Sequence, residues 1–306
     1  MIASYVRGLA SVVQSCSMGP RAKEILAFLV FVFLFSSLPY FLMIHTGHIG
    51  AGEGLVVRLV MWCPALAALT TCRLFRIDLA SLGWSWRPAR YVGWAYVIPI
   101  LYALPVYVAT WTFIPGSFSF STFAATMGAS FGFPGSPRAT TFLLALPLLA
   151  ILGTVTTSLA YALGEEIGWR GFLLPRLVGQ FGFTVGCLLS GCIWALWHYP
   201  ELLFADYNAG TSPAYALTCF TLMVIGLSYV IGWLRLKSNS LWPAAMLHAS
   251  HNLFIQGIFD PMTATTGRAR YITTEFGFGM ALTIAATAFY FWTCRKSVEP
   301  LPTVPA

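Results

Sequence analysis

Hydrophobic positions along the chain gather into eight long runs, at about residues 25–44, 55–72, 91–113, 141–164, 183–199, 214–234, 240–258 and 276–294. Short charged or Pro/Gly-rich breaks separate them. Each run is near the ~20 residues an α-helix needs to cross the hydrocarbon core of a bilayer. None shows the ~10-residue alternation of a membrane β-barrel strand. The pattern predicts an all-α, polytopic membrane protein with about eight transmembrane helices. Ahead of the first run, Ile2, Tyr5, Val6, Leu9, Val12 and Val13 recur at helical spacing, as in an amphipathic helix lying in the interface. A signal peptide fits less well, because the apolar run between Arg7 and Arg21 is short and broken by Gln14 and Ser15. The longest connection, 114–139, is aromatic and rich in Gly and Pro, and fits either a re-entrant or interfacial cap or a flexible loop. No repeat or linker divides the chain. The expected organisation is an N-terminal cytoplasmic or interfacial segment at 1–23, a single transmembrane domain at 24–296 and a cytoplasmic tail at 297–306.

Composition strengthens this reading. Hydrophobic residues make up 58% of the 306 and charged residues 9%, with a mean hydropathy of +0.76. A soluble domain carries roughly 25% charged residues, so this chain cannot clothe a water-facing surface. Charge then gives the orientation. With eight crossings both termini share a side, and 13 of the 17 Lys and Arg residues fall in the loops of that side. The other side holds Arg58, Arg138, Arg268 and Arg270. The positive-inside rule therefore predicts cytoplasmic termini, and the compact chain with short loops suggests a bacterial inner (plasma) membrane. The net charge of +7 suits an anionic leaflet and calls for no nucleic-acid partner. The seven cysteines show no metal-ligand spacing and sit mostly in apolar runs, so no disulfide framework is expected. The terminal TVPA is not a prenylation box.

Against this background the ionisable residues inside the runs stand out, because each is costly in a membrane. They are Glu165, Glu166 and Arg170 in GEEIGWRG, His198 in WALWHYP, and His248, His251 and Asn252 in MLHASHNLF. Glu166 and Arg170 stand four residues apart in the favourable acid-first order and are expected to pair. Glu165 lies about 100° round the helix, without such a local partner, and is left free for chemistry. The stretch VGQFG at 178–182 reads as a turn between two helices. Glu165 and His198 lie at similar distances before and after it, some 22–27 Å along antiparallel neighbours at ~1.5 Å per residue. The fourth helix must then run on past its hydropathy span, through GWRGFLLPRL, with a kink near Pro175. His248 and Asn252 share a helix face at mid-membrane depth, with His251 about 60° off it. The expected result is a polar intramembrane cavity. His45 and His48 end the first span and read as interfacial.

A buried carboxylate beside imidazoles can act as general base toward water, while a His and an Asn can aim donors at a developing oxyanion. The sequence has no SxxK and no Cys at a catalytic spacing, and its GxSxG match, GASFG at 128–132, falls in the Gly/Pro-rich connection and not on the strand-to-helix turn that motif needs, which disfavours a covalent mechanism. A rival arrangement uses Zn²⁺ held by Glu165, His198 and His248 with one position open to water, although no HExxH motif makes it specific. The residues leave both open, with the cofactor-free version preferred.

The ordered set Glu165-Glu166-xxx-Arg170, Trp194-xxx-His198 and His248-xxx-Asn252 on eight apolar runs resembles the CAAX-protease and bacteriocin-processing family of intramembrane endopeptidases, which includes Rce1-type prenyl-protein proteases. The motifs span residues 164–252. The resemblance implies that Glu165 activates water with His198 assisting, that His248 and Asn252 stabilise the oxyanion, and that Glu166 and Arg170 support them. The substrate would be a membrane-associated peptide, prenylated or leader-bearing. Family descriptions include both metal- and glutamate-dependent mechanisms, and the second suits Glu165 better. Trp194 stands where the family usually has Phe, a ring for a ring, with little consequence expected. His251 is extra to the pattern and is expected to line the pocket. Two other classes compete: a non-proteolytic scaffold or immunity protein, and a small transporter using the same residues as a proton relay.

Overall fold

The computed structural model describes residues 19–50, 52, 54–86, 88–121, 123–125, 146–264 and 267–298. Among them the chain is helical, with an isolated bridge between Phe118 and Thr263 and no β-strand. The helices stand where the apolar runs are: α1 Pro20–Thr46, α2 Leu55–Phe75, α3 Ala89–Phe113, α4 over 146–181, α5 over 183–204, α6 Pro213–Ser238, α7 over 242–259 and α8 Phe278–Thr293. Length and apolarity alone mark five stretches as able to cross a membrane. One of these, Leu146–Phe204, is 59 residues long and contains both α4 and α5, so five stretches carry six of the expected spans. The helical path breaks inside it at Gly182, whose φ of 76° and ψ of 169° leave the helical region. Only glycine adopts such angles readily, and this fixes the turn expected at VGQFG.

α4 does extend beyond its hydropathy span. It passes through Ile167–Leu173 as a wider π-helical segment before Pro175 opens the next α-helical stretch. Two more π-helical segments, Leu149–Ser158 on α4 and Leu253–Phe259 on α7, flank the polar interior. Such segments are rare and concentrate at functional sites.

Small residues set how closely α4 meets α2. A Cβ on Gly164 would lie 2.7 Å from the carbonyl oxygen of Met61, and one on Gly168 would lie 2.6 Å from that of Pro64. This pair, four residues apart, puts backbone against backbone, the usual means of close helix packing in membranes. The two glutamates between them face away from that contact, into the bundle. α4 also packs on α7, α7 on α3, and α5 on α6.

The polarity of the fold is that of a protein in lipid. Its outer faces carry Phe33, Leu66, Leu101 and Phe289, whereas Glu165, Glu166, Arg170, Arg235 and His248 are buried. Residues 114–121 dock on the segment after α7, where Ser119 N–H donates to the Met262 carbonyl at 2.8 Å and Ala264 N–H to that of Ser117 at 2.8 Å. Most of the remainder of the long connection (126–139), the N-terminal segment up to residue 18, the start of the fourth span (141–145) and the tail from residue 299 lie outside the described residues.

Candidate active site

The helices enclose a cavity of about 480 Å³. Glu165 from α4, Trp194, His198 and Glu201 from α5, and His248, His251 and Asn252 from α7 all line it, with Val57, Val60 and Met61 of α2 and Met223 and Leu227 of α6 giving it an apolar wall. The structure therefore brings together every residue singled out in the three polar motifs. Glu166 and Arg170 stand behind the wall, fully buried.

The paired layer is built as its spacing predicts. Arg170 Nη1 donates to Glu166 Oε1 at 2.9 Å, Nη2 reaches Ser228 Oγ on α6 at 3.2 Å, and the guanidinium lies 4.0 Å from the Trp194 ring centroid. Glu166 Oε1 also lies 2.9 Å from His248 Nδ1. One carboxylate oxygen thus ties α4 to α7 and turns the Nδ1 edge of His248 away from the cavity. Glu166 Oε2 and Arg170 Nε have no hydrogen-bond partner among the described residues. A buried ion pair of this kind costs desolvation and adds little net stability, but removing one partner would strand the other charge. Its contribution is orientation.

Glu165 corrects the expectation of a carboxylate without a local partner. Its Oε2 accepts from Trp194 Nε1 at 2.7 Å and from Trp169 Nε1, one turn along its own helix, at 3.3 Å. No hydrogen bond among the described residues reaches Oε1. The glutamate is anchored by one oxygen, with the other left to the cavity.

Trp194 likewise corrects the idea that its ring merely stands in for phenylalanine. Its indole N–H holds Glu165, its backbone carbonyl lies 2.9 Å from His198 Nδ1, and its ring packs on His248 with centroids 5.3 Å apart. One residue therefore fixes three members of the site. A carbonyl can only accept, so His198 carries its proton on Nδ1 and presents Nε2.

Sequence reasoning missed a second polar group farther along the cavity. His251 lines the cavity as expected, but its ring bridges Tyr102 Oη on α3, 2.6 Å from Nδ1, and Glu275 Oε1, 2.9 Å from Nε2. Gln256 Nε2 donates to Glu275 Oε2 at 2.8 Å, and the Tyr207 hydroxyl donates to the same oxygen. Tyr207 and Glu275 lie in loops, and no local spacing connects them to α7. At the same end, Ile49 N–H donates to Asp206 Oδ1 at 2.7 Å and His48 Nδ1 lies 3.1 Å from Oδ2. The Ile49 amide, with His48 beside it, holds this exposed carboxyl below its ordinary value. The loop after α1, whose Ile49 and Gly50 line the cavity, is thereby tied to the loop after α5. Glu201, the other missed acid, was legible in principle: it is one of ten acidic residues and stands three positions after His198.

No three His, Cys, Asp or Glu side chains among the described residues stand together as a group able to hold one ion, and Glu165, His198 and His248 are not such a group.

Residues 147–254, which hold all three motifs, match the family of type II CAAX prenyl endopeptidases, Rce1-like. Over 176 residues the chain is 27% identical to CAAX prenyl protease 2 of Methanococcus maripaludis, covering 56% of this chain and 57% of that protein. It thus spans little more than half the length of that relative. The segment matched by the Rce1-like family model, from α4 to α7, is the one that carries the three motifs, so the resemblance extends beyond them.

Proposed function

We propose that this protein is an intramembrane endopeptidase that hydrolyses a peptide bond of a membrane-associated peptide, with Glu165 activating the water. One observation carries this reading: Glu165, His198, His248 and Asn252, from three helices, line one cavity inside a helix bundle. Glu165 Oε1 accepts the water's proton as its oxygen attacks the carbonyl carbon, and His198, presenting Nε2, assists. His248, paired as an imidazolium with Glu166, donates from Nε2 to the oxyanion, and the Asn252 amide donates beside it. Donors fixed in a water-poor site are worth several kcal/mol to such a transition state, of the order of 10²–10³ in rate each. No step requires a metal. The substrate enters from the bilayer as a prenylated or leader-bearing peptide, which suits the apolar wall from α2 and α6. With Arg170 set apart, because it is buried in the bundle, 12 of the 17 basic residues sort to one side, which supports both termini on the cytoplasmic side of the membrane.

The test uses the full chain in lipid nanodiscs with a farnesylated, internally quenched peptide ending in a CAAX sequence. Wild type is expected to cleave it, and E165Q and H198A to lose roughly 10³-fold or more in kcat/KM. Cleavage that survives both substitutions sinks the reading.

A further inference from the structure

The reading above gives no role to Glu201, a carboxyl group in the cavity wall beside His198. Glu201 lies on α5, 4% exposed, in the cavity wall. Its Oε1 is 3.6 Å from His198 Nε2. Nδ1 of that ring is engaged by the Trp194 carbonyl, so Nε2 is the nitrogen available for proton transfer. No hydrogen bond among the described residues reaches either oxygen of Glu201. The contrast with Glu165 is sharp, since two indole N–H groups hold Glu165 as an acceptor. The 3.6 Å gap is longer than a hydrogen bond but within ion-pair range, so the carboxyl and the one open imidazole nitrogen can hold a proton between them. Whether written as imidazolium–carboxylate or imidazole–carboxylic acid, the pair holds one proton to give.

We infer that Glu201 and His198 form the acid half of the site, with Glu201 as a positioning residue that keeps a transferable proton at His198 Nε2 for the departing amine. Carboxyl groups in such different surroundings take opposite roles, one as base and one as proton source. The step balances. The water's O–H bond breaks, its proton goes to Glu165, and its oxygen bonds to the carbonyl carbon. The C–N bond then breaks, and the nitrogen keeps the electron pair and takes the proton from Nε2. The proton on Glu165 returns to the His198–Glu201 pair through water as the products leave. One water is consumed, and one carboxyl and one amine are formed.

This inference rests on the endopeptidase reading, and the experiment separates the two. Two matched farnesylated, internally quenched probes are compared in nanodiscs, one with an amide at the scissile position and one with an ester. An ester's leaving group needs far less protonation. E201Q is expected to lose about 10²-fold or more in kcat on the amide, within the range for general acid catalysis, and less than tenfold on the ester, with KM held within about threefold. The amide-to-ester ratio does not depend on how much of the variant is folded. Should E201Q fail to accumulate, E201D keeps an acid at the position and is expected to retain a ratio between those of wild type and a variant with no acid. An unchanged ratio in E201Q, or in E201D a ratio at or above that of wild type, overturns the assignment. If wild type cleaves neither probe, or E165Q cleaves like wild type, the endopeptidase reading falls as well. If E165Q is inactive and E201Q leaves the ratio unchanged, only the role of Glu201 falls.

Discussion

Trp194 is the residue on which the site's geometry converges. Its N–H is 2.7 Å from Glu165, its carbonyl 2.9 Å from His198, and the Arg170 guanidinium lies 4.0 Å from its ring centre. A phenylalanine would keep the packing and the carbonyl but lose the N–H. Hydrogen bonds to charged groups contribute about 1.5–3 kcal/mol, so W194F is expected to lower the melting temperature by a few degrees and, with Glu165 less firmly held, to lower kcat/KM by roughly 10–100-fold. Steady-state rates with the farnesylated probe, set beside a thermal melt, check this. A variant as active as wild type would mean that the Trp169 donor alone holds Glu165. Among individual residues, the pairing of Glu166 with Arg170 was legible because a helix places positions four apart on one face. The anchoring of Glu165 was not legible, because half of it comes from an indole 29 positions away on another helix.

At the level of elements, GEEIG serves two faces. Gly164 and Gly168 let α4 lie against the backbone of α2, and this contact directs the two glutamates between them toward the bundle interior. Gly168→Ala puts a methyl group 2.6 Å from a backbone oxygen, which cannot swing aside as a side chain could. Overpacking of this kind typically costs about 1–3 kcal/mol, so a lower melting temperature in detergent or nanodiscs is expected, with activity falling because α4 moves. An unaltered melt would show that α2 yields easily. Hydropathy located the helices because membrane burial needs long apolar runs, and Gly182 made the α4–α5 turn visible. It could not show that α4 continues to 181, since the polar residues at 165, 166 and 170 interrupt the apolar signal where the helix passes through the protein interior.

Over the whole molecule, charge and polarity are turned inward. Glu165, Glu166, Glu201 and Glu275, four of the ten acidic residues, are buried in or behind the cavity wall. The helix count and the three motifs carried most of this picture in the sequence. The Tyr102–His251–Glu275–Gln256–Tyr207 group did not show, because its members come from two helices and two loops that only the tertiary fold brings together. The arrangement also bears on metal dependence. Glu165 is held at Oε2 by indole N–H groups, and His198 and His248 are engaged at Nδ1 with Nε2 left over, an orientation that serves proton transfer and metal ligation alike, so the proposed ion-free reaction is tested by removing metal. Prolonged treatment with EDTA and 1,10-phenanthroline, with the metal content measured before and after, is expected to leave the cleavage rate unchanged. Loss of activity restored by added Zn²⁺ would favour the metal mechanism.

The central claim is that Glu165 is the base. Single-turnover cleavage of the farnesylated probe by E165Q in nanodiscs, with probe binding measured on the same preparation, tests it most directly. The account requires binding within a few-fold of wild type and a chemical step slower by about 10³-fold or more. A chemical step within tenfold of wild type, at equal binding, would contradict it.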